Sequence, residues 1–251
     1  MEVHHHPKVE KKNFKEYFLE FLMIFLAVTL GFFAENIREN ITEHGREKEY
    51  IASMLEDLRS DTTKLNQGIQ LNTEQSKGYD SLISYWYSKP YSDSLIRYMY
   101  YLYRTWTATR HKVWFTHRTI DQLRNAAGMT LIRDKTASDS IINYYEFVDR
   151  ADRQIDVFST NFQHEALQTS YRIFDWSLLR DFNSASPYKF LSIEKKFSFL
   201  NASVSDQNSY IAQMQTSGLV LKNYIRMLSD EQQRCLRLID VLHNEYHLKN
   251  E

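Results

Sequence analysis

Apolar residues recur along most of the chain at alternating steps of four and three. From Ile37 to Trp86 the series is unbroken and mostly apolar: Ile37, Ile41, His44, Lys48, Ile51, Leu55, Leu58, Thr62, Leu65, Ile69, Asn72, Ser76, Tyr79, Ile83 and Trp86. Residues at this spacing share one stripe of an α-helix. Together with the apolar segment before it, the series predicts one long helix from Phe14 to about Ser88, which Lys89-Pro90 stops. Three glycines are expected to weaken this helix: Gly45, Gly68 and Gly78.

Shorter helices are predicted in the middle of the chain. Ser92 or Asp93 can cap a second helix that extends to about Thr109. A third helix is expected from about Thr116 to Ala127, with Gly128 as a left-handed residue at its end. The spacing then resumes from Thr136 to Trp176, and this run predicts a second long helix.

The last third of the chain has a loop followed by a further regular segment. Asp181 to Lys189 contains Pro187 and several small polar residues, so a loop is expected there. Ile193 to Leu200 is expected to form a short helix. The stripe returns from Ile211 to Tyr246 and predicts a third long helix, with Leu221 and Ile239 in the core.

Three long amphipathic helices must bury three apolar stripes. Antiparallel packing within the chain, self-association, or both would bury them. We therefore predict an all-α fold, in which a single transmembrane helix continues into an elongated helical bundle or coiled-coil outer domain.

The transmembrane prediction rests on the segment from Tyr17 to Ala34, YFLEFLMIFLAVTLGFFA, whose 18 residues carry one charge, Glu20. This length is near the lower end of the roughly 17 to 25 residues that span a bilayer. A cleaved signal peptide is the alternative, but it should end in a small-x-small site, and the segment here exits as Gly31-Phe32-Phe33-Ala34-Glu35. An uncleaved anchor over residues 14–36 is therefore predicted.

Basic residues are concentrated before the anchor. Lys8, Lys11, Lys12 and Lys15 precede the apolar segment from Tyr17 to Ala34, whereas Arg38, Arg46 and Lys48 are spread more thinly after it. The side richer in Lys and Arg normally stays in the cytoplasm. We therefore expect residues 1–13 to form a cytoplasmic tail and residues 37–251 to form a helical extracytoplasmic domain.

One face of the anchor is suited to contact with another membrane helix. Glu20, Ala27, Gly31 and Ala34 share this face, and small residues four apart allow two helices to approach closely. The favoured interpretation is an oligomer contact with an acid that reaches toward water at the membrane surface. A proton or cation relay through Glu20 is the alternative, because intramembrane carboxylates are often functional.

Composition excludes several classes of protein. Only 6 Gly and 3 Pro occur, too few for the frequent turns of a β-sandwich, barrel or propeller, and no two glycines are close enough to form a nucleotide-binding loop. The 31 basic residues are balanced by 32 acidic ones, which argues against nucleic acid as a partner. The one cysteine, Cys235, excludes an intramolecular disulfide and a thiolate zinc cluster.

Three segments resemble a known family. EFLMIFLAVTLGFFAEN (Glu20 to Asn36), TIDQLRNAAGMTLI (Thr119 to Ile132) and INYYE (Ile142 to Glu146) are similar to a widespread, uncharacterised bacterial family of single-pass membrane proteins. The resemblance fades after about Phe162. It implies a bacterial inner-membrane protein with a helical, periplasmic outer domain, and it implies no catalytic residues.

A basic and aromatic segment between Ser94 and Ile120 is the first candidate for a ligand site. It contains no acidic residue between Ser94 and Ile120 and combines these side chains: Arg97, Arg104, Trp106, Arg110, Lys112, Trp114 and Arg118. Such mixtures bind stacked bases, sugars or anionic head groups. The favoured alternative is structural: the basic residues pair with Glu56, Asp57 and Asp61 while the aromatic rings fill the core.

No catalytic or metal site is predicted. His243 and His247 are four apart and would share a helix face, but Glu245 is out of position for a zinc-protease motif and no third ligand is evident. Serine and histidine residues occur in no recognisable triad context. No cofactor is expected.

The function predicted from sequence is that of a non-enzymatic, membrane-anchored helical bundle that self-associates and serves as a structural or interaction protein. Its expected partners are the lipid bilayer, further copies of itself and another membrane protein. The alternatives are an extracytoplasmic ligand-sensing bundle and an ion-coupling oligomer that uses Glu20.

Overall fold

The computed structural model describes residues 13–109, 111–125, 128–158, 164–183 and 186–247. In these residues the fold is all-α, as the sequence predicted. The α-helices are α1 (Phe14–Trp86), α2 (Asp93–Leu102), α3 (Arg118–Asn125), α4 (Lys135–Phe158), α5 (His164–Ser170), α6 (Pro187–Phe190) and α7 (Val204–Tyr246). A π-helical turn follows α2 at Tyr103–Thr107, and 3₁₀ turns occur at Gly128–Leu131 and Trp176–Leu179.

The chain divides into two compact units, Met1–Tyr50 and Ile51–Glu251. In the first unit, the described part is helical from Phe14 onward, and its large apolar side chains are exposed, for example Phe21, Ile24 and Phe25. The helix contains an 18-residue window with a mean hydropathy of 2.1, none of which is buried in the protein. Among the described residues, this is the one helix that is long and apolar enough to cross a membrane.

The second unit is built around the part of α1 that follows Tyr50, together with α4 and α7. Contacts between α1 and α7 show the relative direction of the two helices. Gln232 Nε2 donates to Asn66 Oδ1 at 2.5 Å. Farther along α7 but earlier in α1, Cys235 Sγ lies 3.3 Å from both the Thr62 hydroxyl and the Leu58 carbonyl oxygen. The two helices are therefore antiparallel. Helix α4 packs along α7, and its Tyr145 hydroxyl donates to Met54 Sδ of α1 at 3.2 Å.

A dense aromatic cluster fills the core where α1 ends and α7 begins. Tyr103 stacks on Phe174 with ring centroids 4.2 Å apart, and Tyr100 meets the same ring edge-on at 4.9 Å. Tyr210 of α7 contacts Phe174 at 5.6 Å. Aromatic pairs in these geometries add about 0.5 to 1.5 kcal/mol each beyond their buried area. The short helices and connectors between residues 92 and 200 supply most of these rings.

The glycines of α1 allow close packing in the second unit. A Cβ atom at Gly68 would lie 2.2 Å from Val113 Cγ2, and one at Gly78 would lie 2.5 Å from the Trp106 side chain. These two positions were expected to weaken the helix. They are instead where other segments pass too close to α1 for any side chain.

Several element predictions were wrong in detail. Within the helix expected from Thr136 to Trp176, the structure describes α4 as far as Phe158 and α5 from His164 to Ser170, and residues 159–163 lie outside the described residues. The predicted end was wrong, because Trp176 belongs to a 3₁₀ turn. Ile193 to Leu200 is not helical, because Phe199 forms a β-bridge with Phe174. A short helix, α6, begins within the segment expected to be a loop and ends at Phe190, one residue after it.

Gly128 has no positive φ and begins a 3₁₀ turn, so it is not the expected left-handed cap. A Cβ atom there would lie 3.1 Å from Leu123 Cα, so close packing explains this glycine instead. Ala127, the expected last residue of that helix, lies outside the described residues.

Candidate functional site

The predicted contact face of the anchor is open to its surroundings. Ala27, Gly31 and Ala34 are exposed, and a Cβ atom at Gly31 would meet nothing within 4 Å. Glu20 lies on the same helix face and is partly exposed. Among the described residues, the three small side chains of this face therefore leave room for a neighbouring helix.

The basic and aromatic segment lies in the second unit, and amide side chains of α1 hold its backbone. Gln75 donates from Nε2 to the carbonyl oxygens of Trp106 and Thr109 at 2.7 and 2.8 Å. Asn72 donates to the His111 carbonyl oxygen at 2.9 Å. Asn72 and Gln75 are buried, and these bonds engage their side-chain NH₂ groups. The polar residues within the stripe of α1 thus fix the path of an irregular segment.

Two carboxylates of α1, one helical turn apart, hold the start of α3. Asp61 accepts bonds from the Thr116 amide at 2.9 Å and the Thr116 hydroxyl at 2.6 Å. Asp57 accepts from the Thr119 amide at 3.0 Å and its hydroxyl at 2.6 Å. Burial raises the pKa of Asp61, and the bonds from Thr116 and Lys64 oppose this shift. Asp57 therefore caps the first turn of α3 from another helix, whereas Asp61 holds Thr116, two residues before α3 begins.

The predicted basic site residues are already engaged by protein groups. Arg118 pairs with Asp57 at 2.9 Å and with Glu56 at 3.2 Å. The side chain of Lys112 is 7% exposed and pairs with Asp156 at 3.0 Å and with Asp152 at 3.6 Å. These pairs neutralise the positive charge that would attract an anion.

Arg97 of α2 and Arg104 of the π-helical turn after it are held by contacts with backbone carbonyl oxygens or aromatic rings. Arg97 donates to the carbonyl oxygens of Leu191 and Lys195 at 3.0 and 3.2 Å, and its guanidinium lies 5.3 Å from the Phe197 ring centroid. Arg104 lies 5.7 Å from the Phe182 ring centroid. Arg110 was predicted as part of the same site and lies outside the described residues.

The two predicted tryptophans differ in environment. Trp106 is half-buried and packs over Gly78. Trp114 is 68% exposed, and the Lys112 ammonium lies 4.6 Å from its ring centroid. Trp114 borders an open groove of about 820 Å³ between residues 111–118 and α1. The geometry therefore favours the structural interpretation of this segment, while a ligand in the groove stays a prediction.

Two features were not identified from sequence. Glu231 of α7 is fully buried, and neither of its carboxylate oxygens has a hydrogen-bond partner in the described structure. A separate small pocket lies between Trp86, Tyr91 and Phe199. The sequence signal for the burial of Glu231 was its place in the stripe of α7: it lies three residues after Leu228 and four before Cys235.

The remaining candidate reactive groups have structural roles. Burial raises the pKa of the Cys235 thiol, so it is protonated at neutral pH and a poor nucleophile. His247 is the C-cap of α7 in a left-handed conformation, with φ of 49°. No group of three or more potential metal ligands occurs among the described residues.

Comparison of the chain with protein-family models, with curated proteins and with solved structures gives no match.

Proposed function

We propose that this chain is a non-enzymatic, single-pass membrane protein of the bacterial inner membrane. Its outer helical domain acts as a structural or interaction module, and the chain self-associates through its anchor. The observation that carries the proposal is the 18-residue apolar window of α1, none of which is buried in the protein. An exposed apolar surface of this extent is costly in water and is matched by the interior of a bilayer.

The orientation follows from charge. The lysines before the anchor favour a cytoplasmic tail, residues 1–13, and a periplasmic domain, residues 37–251. The second unit supports this arrangement because it buries a core of its own.

A non-enzymatic role is supported by how the domain uses its polar groups. Asp57 caps α3 and Asp61 holds Thr116 just before it. Asn72 and Gln75 hold carbonyl oxygens, and Lys112 and Arg118 are in ion pairs. Lys112 and Arg118 border the groove beside Trp114, but carboxylates of the protein already pair with their charges.

Self-association through the anchor is supported by the open face at Ala27, Gly31 and Ala34. Without a hydrophobic driving force inside the bilayer, helices associate by close backbone contact, and small residues permit it. A coiled-coil arrangement between copies would extend the contact along α1.

Protease accessibility tests the proposed topology. Protease added to spheroplasts is expected to cleave the chain beyond about Asn40, whereas inverted membrane vesicles should protect this region. Replacing Lys8, Lys11, Lys12 and Lys15 by Gln should weaken the orientation and yield a mixed population. Protection of the region beyond Asn40 in intact spheroplasts would contradict the proposal.

A further inference from the structure

A small pocket lies where α1 ends and α7 begins, away from the basic and aromatic segment. Its volume is about 140 Å³, and three aromatic side chains border it: Trp86, Tyr91 and Phe199. The Phe199 ring lies 5.8 Å from the Trp86 ring and 5.7 Å from the Tyr91 ring. An apolar cavity of similar size accommodates benzene, so this pocket has room for a single six-membered ring.

One charged side chain, Lys89, lies at this pocket among the described residues that line it. Its ammonium is 5.9 Å from the Trp86 ring centroid and 5.8 Å from the Tyr91 ring centroid. Lys89 donates to Gln207 Oε1 at 3.1 Å, and Gln207 Nε2 in turn donates to the Ala202 carbonyl oxygen at 3.0 Å. The ammonium is therefore held beside the rings by an amide whose orientation is itself fixed.

Lys89 differs from Lys112 and Arg118 of the basic and aromatic segment in its ion pairing within the described part of the chain. Among the described residues, no carboxylate lies within ion-pair distance of it, whereas Lys112 and Arg118 each contact two. An ammonium has three donors, and the amide of Gln207 uses one of them. The pocket thus combines an apolar, ring-sized interior with an un-neutralised cation.

We propose that this pocket binds a small monoanion with an apolar body, such as an aromatic carboxylate. The ring would pack against Trp86, Tyr91 and Phe199, and the carboxylate would accept charge-assisted hydrogen bonds from Lys89. A cationic ligand is disfavoured because it would be repelled by Lys89. This inference is independent of the proposed membrane topology and gives the second unit a capacity to bind a small ligand.

Fluorine NMR of the full chain in lipid nanodiscs tests the proposal, with empty nanodiscs as the blank. The probes are 4-fluorobenzoate, its neutral analogue 4-fluorobenzyl alcohol and its cationic analogue 4-fluorobenzylamine. We expect saturable binding of the benzoate, about tenfold tighter than that of the alcohol, because a charge-assisted hydrogen bond is stronger than a neutral one. The amine should bind more weakly than the benzoate.

Two substitutions assign the binding to this pocket. Lys89→Gln should abolish the preference for the anion, whereas Lys196→Gln, at an exposed lysine of the same unit, should leave it unchanged. Ala202→Leu should fill the pocket and abolish binding, with Ala212→Leu at an exposed position of α7 as its control. An unfolding curve for each variant would confirm that it is folded.

Three outcomes would overturn the proposal. The first is binding of 4-fluorobenzoate to the protein no greater than to empty nanodiscs. The pocket would then be a packing void that binds no ligand. The second is equal or tighter binding of the alcohol or the amine. The third is unchanged benzoate affinity in the folded Lys89→Gln variant.

Discussion

Glu231 is a carboxylic acid in an otherwise apolar stripe of α7. Its side chain is fully buried among α1, α4 and α7, where Asp61, Arg150 and Arg234 are the charged groups that act on it. Burial raises its pKa to about 8, and the two arginines only partly oppose this shift. At neutral pH the buried acid is therefore neutral, which avoids an unpaired charge in the core.

This raised pKa makes the stability of the domain depend on pH. The unfolded chain loses the Glu231 proton above the ordinary value of 4.5, whereas the folded chain keeps it until about pH 8. Stability should therefore fall as pH rises through this window. Glu231→Gln should remove this dependence and make the protein about 2 to 4 kcal/mol more stable than the parent at pH 8.

Urea unfolding from pH 5 to pH 8.5 measures this effect. Glu245→Gln, at an exposed position of the same helix, is the matched control and should follow the parent chain. If the difference in stability between Glu231→Gln and the parent is constant over this range, Glu231 does not titrate as expected.

Asp57 and Glu56 are adjacent acids that both contact Arg118, yet they should differ greatly in importance. Asp57 also accepts two bonds from Thr119, which is buried, whereas the Glu56 side chain is 69% exposed. Asp57→Ala leaves the buried Thr119 amide without an acceptor and should cost about 2 to 4 kcal/mol. Glu56→Ala should cost less than about 0.5 kcal/mol.

Thermal unfolding of the two variants under identical conditions provides the comparison. Similar losses of stability in both would show that the ion pair with Arg118, rather than the cap on α3, is what matters.

At the scale of the element, the structure shows which residues of α7 form its buried stripe. The buried residues that follow Leu221 are Tyr224, Leu228, Glu231, Cys235, Leu238 and Leu242. The core position predicted from sequence at Ile239 is one residue past the buried Leu238, and Ile239 is only half-buried. Leu221 is buried, as predicted.

This shift predicts the effects of truncation in α7. Leu238→Ala should cost about 2 to 5 kcal/mol, because it leaves a cavity at a side chain that is 2% exposed. Ile239→Ala should cost less than half of that, and Leu236→Ala, at an exposed position, should stay within about 0.5 kcal/mol. Urea unfolding of the three variants tests which face of α7 is buried. If Ile239→Ala loses as much stability as Leu238→Ala, the sequence-based assignment of Ile239 to the core is correct.

At the scale of the whole molecule, the anchor separates the structural proposal from ion coupling. Gly31→Leu should push neighbouring helices apart and weaken the oligomer, because the leucine would occupy the open contact face. Gly45→Leu is the control, since a Cβ atom there also meets nothing within 4 Å and Gly45 lies beyond the anchor. Glu20→Gln should preserve assembly, because an amide can still form hydrogen bonds.

Chemical cross-linking in nanodiscs measures assembly, and proteoliposomes measure ion flux. If the protein is structural, Glu20→Gln should change neither the extent of cross-linking nor the ion flux. If this variant assembles normally but loses a proton or sodium flux that the parent chain shows, the ion-coupling alternative replaces the structural proposal, because only a carboxylate binds and releases a proton there.

The sequence by itself determined the local properties. The period of the apolar residues specified an all-α fold and the long helices α1 and α7, because a stripe must face a partner wherever that partner lies. The apolar run from Tyr17 to Ala34 specified the candidate anchor. Ser92 was one of the two residues predicted to cap α2, and its hydroxyl accepts from the Leu95 amide. These features depend on neighbours within a few residues along the chain.

Only the tertiary structure decided the features that depend on distant residues. It showed that Asp57 caps α3 from another helix while Asp61 holds the residue Thr116 before it, and that Gly68 and Gly78 are glycines because other segments pass against them. It also placed Lys89 beside the rings of Trp86 and Tyr91, and Glu231 between three helices. The physical reason is that charge compensation, burial and close approach arise from which segments meet, and the spacing of residues along one helix does not specify its partners.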